Sequence, residues 1–228
     1  MRAKGVDVLD ALFKVENTDL LPTKLKKRIA LKMKNVLSGV SEIEKLSGLR
    51  YPAYYIEPVL TVTVSQDNID GMGVLYARTI PVDKQGMVEI VVQLTAPLLL
   101  YSTKSTMKLV LGHEFLHYLE LVRNFSKGLL STQLTTDSIY EEEFADSARG
   151  VEPSRIFKDK KIVKDLKKTL SKGLSDEKLN EKCRINWIEK GLPMARIPMA
   201  RNQVKLSMES VLRSRFDPNA VKIVSELN

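Results

Sequence analysis

The spacing of apolar residues changes character several times along the chain, and each change marks an element. In KLKKRIALKMKNVLSGVSEIEKL, Leu25, Ile29, Met33, Val36 and Val40 recur at intervals of four and three, the helical period. Lysines and an arginine fill the opposite face, so the spacing predicts a basic amphipathic helix packed through its apolar stripe, with a break near Gly39. From Val59 the pattern turns β-branched (VLTVTV), and two similar runs follow, VLYARTI over 74–80 and VEIVVQL over 88–94. The polar turns QDNIDG and PVDKQG separate them, which predicts a three-stranded meander. A long helical pattern then runs from Ser102 to about Phe125, with Ser102 or Thr103 as its cap. A loop over 126–137 and a second helix from Ser138 to Arg149, capped by Asp137, complete this part.

After Pro153 two amphipathic helices are expected, IFKDKKIVKDLKKTLSKG and DEKLNEKCRINWIEKG, ending at Gly173 and Gly191. The tandem repeat LPMAR–IPMAR over 192–201 follows, and its two prolines forbid a regular helix. Helix resumes over 202–216, and Asp217-Pro218 opens a last short one in the cap-then-proline arrangement. The pattern predicts an α+β fold: residues 1–150 carry the sheet and the basic N-terminal helix, and residues 151–228 form a basic helical C-terminal subdomain.

Composition narrows the field. With 228 residues, 43% of them hydrophobic and 28% charged, the chain can bury a good core and is neither collagen-like nor wholly disordered. Its one cysteine, Cys183, excludes a disulfide framework and a multi-cysteine zinc finger. Asp7 and Asp10 stand where a signal peptide needs an apolar run, and the longest apolar stretch, near Leu94 to Tyr101, is short and contains Pro97. A cytoplasmic protein with no membrane partner is expected. The net charge of +8 is uneven: residues 151–228 hold 18 Lys and Arg against 10 Asp and Glu, whereas residues 51–150 hold 7 against 12. The basic third can complete the fold and line a cleft, or lie across it as a latency segment through the repeat. It can also bind nucleic acid or a protein, although no nucleic-acid motif accompanies the charge.

Both histidines of the chain fall in His113-Glu114-Phe115-Leu116-His117, inside the long predicted helix. Positions i and i+4 share a helix face, so the two imidazoles can grip one metal ion, and Glu114 beside them can serve as a general base. Chance placement of this HExxH pattern has a probability of roughly six in ten thousand given the composition. A catalytic zinc site takes three protein ligands. No third histidine exists, which excludes the long motif HExxHxxGxxH and leaves a carboxylate or, failing that, Cys183.

The carboxylates cluster in Glu141-Glu142-Glu143-Phe144-Ala145-Asp146. HExxH followed by this E-x-x-x-D spacing resembles the gluzincins, a group of zinc peptidases. The likeness covers about residues 59–150 and is similar to minimal gluzincins, prenyl-protein-type peptidases and ImmA-type regulatory peptidases. It implies a zincin-like fold, a small twisted sheet packed on the active-site helix, with Zn2+ as cofactor and a peptide or protein as substrate. It also implies Glu142 as third ligand, with Glu141 or Glu143 in its place if the register slips. Asp146 would accept a hydrogen bond from the non-ligating nitrogen of His113. An edge strand would hold the substrate, either VLYARTI through Tyr76 and Ala77 or VEIVVQL. With no spare histidine, the oxyanion would fall to Tyr140, Arg149 or Arg155. Gly112 is expected to allow close packing of helix on sheet, and Cys183, in line with Leu179 and Trp187, to be a small core residue.

Overall fold

Helix α1 runs unbroken from Thr23 to Ser47 in the computed structural model, which describes residues 21–64, 73–127, 138–140, 151–169, 176–198 and 203–227. Of the predicted stripe, Ile29, Met33, Val36 and Val40 are buried and Leu25 is half-buried, and Ile43 continues the same buried face. The helix stops at Gly48, whose φ of 73° turns the chain and lets its N–H close onto the Glu44 carbonyl at 2.8 Å.

Five strands follow: β1 (Ala53–Glu57), β2 (Leu60–Val64), β3 (Gly73–Leu75), β4 (Ala77–Lys84) and β5 (Met87–Thr95). One sheet has the order β1-β5-β4, with β1 parallel and β4 antiparallel to β5. The expected meander survives in its antiparallel pairings, but VLYARTI is not one strand. It breaks at Tyr76, so β3 pairs with β2 in a second sheet while β4 stays in the first. Tyr76 is buried at the break, its carbonyl accepting from both the N–H (2.9 Å) and the hydroxyl (3.0 Å) of Thr95. The β4–β5 turn is also tighter than expected. Pro81 to Lys84 belong to the strand, and only Gln85 and Gly86, at φ 56° and 74°, make the two-residue reversal that suits twisted strands.

The short helix α2 (Ala96–Tyr101) leads into α3 (Lys104–Ser126), capped by Thr103, whose hydroxyl accepts from the Thr106 N–H at 3.0 Å. Helix α3 lies between α1 and the sheet strand β4 and is buried nearly all round. Gly39 does not break α1; it is where α1 meets α3. A Cβ there would stand 2.6 Å from Leu111 Cδ1, so only glycine fits without displacement. Gly39→Val is expected to cost about 1–3 kcal/mol by overpacking, read as a lower urea midpoint with unchanged slope. Gly112 likewise permits close packing, but of helix on helix rather than helix on sheet. Its Cβ would meet Ile43 Cδ1 of α1 at 3.3 Å and Leu166 Cδ2, from the C-terminal third, at 3.4 Å.

The C-terminal part is less helical than its sequence predicts. Ser138–Tyr140 forms β6, antiparallel to β8 (Gln203–Lys205), so neither the helix expected from Ser138 nor the one expected from 202 begins there. Between them come the single turn α4 (Pro153–Ile156), α5 (Lys160–Thr169) and α6 (Glu177–Cys183). Helix α6 passes into a π-helical turn over Arg184–Ile188 that is capped at Glu189, and the predicted Gly191 lies in the turn just beyond, with φ 62°. The repeat opens as β7 (Met194–Pro198), parallel to β2, so the extended chain expected there joins the β2–β3 sheet rather than β4. Helices α7 (Met208–Arg213) and α8 (Pro218–Ser225) close the fold, the latter capped by Asp217, which accepts from the Asn219 and Ala220 N–H groups. Val151, Phe157, Leu166, Trp187, Leu206 and Val224 share one buried cluster with Phe115 of α3 and Ile43 of α1. The fold is therefore mixed α+β. Among the described residues no helix is long and apolar enough to cross a membrane.

Candidate metal centre

Helix α3 sets the geometry of the histidine pair. A rise of about 1.5 Å per residue puts His113 and His117 one turn apart on the same face. Their Nε2 atoms converge to 2.8 Å, with ring centroids 4.4 Å apart and ring planes at 88°. Zinc–nitrogen bonds of about 2.0–2.1 Å at a tetrahedral angle would separate two nitrogens by about 3.3 Å, so a small ring rotation opens the pair to fit one ion. At 2.8 Å one Nε2 carries a proton and the other a lone pair. Holding a metal requires both rings in the Nδ1–H form.

Burial keeps His113 neutral, lowering its pKa to about 4 from the ordinary 6.5. The native state thus resists a proton that the unfolded chain accepts, and stability is lost as pH falls through this window. Between pH 6.5 and about 4, this one group is expected to remove up to about 1.4 kcal/mol per pH unit from the metal-free protein. Urea melts across that range should show a slope that is shallower in His113→Gln.

Glu114 is 5% exposed and points to the sheet rather than to solvent. The Thr79 hydroxyl, on β4, lies 2.7 Å from its Oε2 and 3.0 Å from its main-chain carbonyl. Beneath it, Tyr51 stacks on Phe115 at 5.5 Å and donates its hydroxyl to the Leu111 carbonyl at 2.9 Å. Burial first, and the Glu114 charge second, hold that phenol well above its usual pKa, so Tyr51 stays a protonated donor. Thr79 has no signature in the sequence. The two-residue strand period puts it on a face with Ala77, but only the folded register brings that face to Glu114.

Topology separates the two candidate strands. Among the described residues β5 is the central strand of its sheet, hydrogen-bonded on both sides, and β4 is an edge. VEIVVQL therefore cannot receive an added strand, while the edge beside Glu114 belongs to ARTIPVDK.

Glu142, Asp146 and Arg149, with Glu141 and Glu143, lie outside the described residues. Tyr140 sits in the backbone of β6, opposite Gln203. Arg155 is exposed on the turn α4. Among the described residues no third His, Cys, Asp or Glu joins His113 and His117. Cys183 does not stand with the histidine pair. It is 1% exposed on α6 beside Tyr76, with Leu179 and Trp187 in the same core, and burial pushes its thiol up to about 11. A thiol that resists ionisation there is a packing residue.

No family model, curated protein or solved structure matches the chain.

Proposed function

We propose that the chain is a zinc-dependent peptidase of gluzincin type, with a zincin-like arrangement of edge strand and active-site helix. The observation that carries this reading is the convergence of the His113 and His117 Nε2 atoms to 2.8 Å on a helix whose next residue, Glu114, presents a buried carboxylate. Two neutral imidazoles, one carboxylate and an open position for water make a donor set that suits zinc. His113 and His117 would hold the ion, with Glu142 as third ligand and Asp146 fixing the His113 ring through its other nitrogen. Zinc, when bound, supplies a Lewis acid that polarises a peptide carbonyl and acidifies a water. Glu114 takes the proton of the attacking water on its carboxylate and returns it to the leaving amine. The β4 edge holds the peptide extended by main-chain hydrogen bonds. Tyr140 or Arg149 would steady the oxyanion.

Metal analysis after dialysis tests the first half of this reading. Wild type is expected to retain about one zinc per chain, and His113→Ala and His117→Ala to bind at least about a hundredfold more weakly, since residues that only orient zinc ligands already cost about ten- to a hundredfold. Equal zinc in all three proteins would remove the site. A second reading, a nucleic-acid-binding regulator with a latent site, draws on the exposed Lys160, Lys161, Lys164 and Lys168 along α5. It requires duplex binding that weakens steeply with salt and is lost when these lysines become glutamate.

A further inference from the structure

We propose that Thr79 is the positioning residue of Glu114. Its catalytic consequence rests on the peptidase reading; the contact itself rests on geometry. A glutamate has three rotatable side-chain bonds, and a general base works only when its carboxylate is held to a fraction of an ångström. Helix α3 fixes the Glu114 backbone but not the far end of its side chain. The sheet supplies that hold. Thr79 is 8% exposed on β4, opposite Val92 of β5, and its hydroxyl reaches Glu114 Oε2 at 2.7 Å. The same oxygen stands 3.0 Å from the Glu114 carbonyl, but one hydroxyl proton serves one acceptor best, and the contact to Oε2 is the shorter of the two. The β4–β5 register thereby determines where the carboxylate sits. A slip of one residue would present Arg78 or Ile80 instead of the hydroxyl.

The sheet edge and the general base are then one device. The strand read above as the edge for substrate is the strand that holds Glu114. A β-branched threonine suits this task, because its restricted side-chain torsion fixes the hydroxyl's direction.

The test uses the zinc-loaded full chain acting on a peptide identified from a mixed digest, with Thr79→Val, Thr79→Ser and Glu114→Gln. Thr79→Val is expected to lower kcat about tenfold with KM and zinc content unchanged, and Thr79→Ser to stay within about twofold of wild type. The second readout needs no activity. In zinc-free protein the Glu114 carboxyl 13C resonance, assigned by its loss in Glu114→Gln, should move in Thr79→Val and hold its position in Thr79→Ser. Wild type should also show a slowly exchanging Thr79 hydroxyl proton close to the Glu114 side chain. A wild-type kcat in Thr79→Val, or an unmoved carboxyl resonance, overturns the proposal. If Thr79→Val does not fold, the hydroxyl proton decides, and its fast exchange overturns it. A wild-type protein that cleaves nothing removes the peptidase reading, and the carboxyl resonance still decides whether Thr79 holds Glu114.

Discussion

Glu114→Gln is expected to bind zinc as wild type does and to cleave peptides about 10²–10⁴-fold more slowly, the range a general base contributes. The substitution keeps the size of the side chain and removes its capacity to take a proton. Glutamine's carbonyl oxygen can still accept from the Thr79 hydroxyl, now 2.7 Å from Oε2, so the helix and the strand should not move apart. His113 and His117 are untouched, and the stoichiometry of zinc should be unchanged. The effect belongs in kcat, because a general base at Glu114 would act on the water rather than on the peptide's binding. Single-turnover cleavage of a defined peptide, with metal analysis of the same samples, measures both halves. A loss of zinc in Glu114→Gln would show that Glu114 supports the site structurally.

Trp187→Ala is expected to destabilise the protein by about 3–5 kcal/mol, the usual cost of emptying a large aromatic site. Trp187 is fully buried at the π-helical turn, and its indole N–H donates to the Pro193 carbonyl at 2.9 Å. The same carbonyl accepts from the Leu60 N–H at 3.0 Å, and Leu60 opens β2. One side chain therefore fills the core and anchors the entry of β7 alongside β2. Trp187→Phe keeps most of the volume and loses the donor, so a smaller loss of about 1–2 kcal/mol is expected. Urea midpoints of the three proteins provide the check. An alanine variant within about 1 kcal/mol of wild type would mean that β7 docks independently of the tryptophan.

What the sequence makes legible is what local pattern determines. The α1 stripe follows from a 3.6-residue period, and the start of α3 from the Thr103 hydroxyl and that of α8 from Asp217. The histidine pair needed only helical spacing, since i and i+4 converge on any regular helix. Gly39 and Gly112 are legible as glycines but not by role, because the residues they admit, Leu111, Ile43 and Leu166, come from distant segments. The short strands fail for the same reason. Ser138–Tyr140 and Gln203–Lys205 are three residues each, and nothing local records that they pair across the chain. Tyr76 reads as the middle of a strand, yet its side chain leaves toward Asn180, to which its hydroxyl donates at 2.8 Å, and the backbone bends to allow this. Thr79 is invisible for a subtler reason: its contact depends on the register of β4 against β5 and on the packing of that sheet against α3, two tertiary facts at once.

Zinc-dependent hydrolysis at the His113–Glu114–His117 helix is tested most directly by a mixed-peptide digest in 18O-labelled water, read by mass spectrometry. The protein is stripped of metal, reloaded with zinc and run beside Glu114→Gln. New peptide carboxyl termini carrying 18O, present with zinc, absent after stripping and nearly absent in Glu114→Gln, are the predicted result. Zinc held at full occupancy with no new termini from wild type, or equal cleavage by Glu114→Gln, would contradict it.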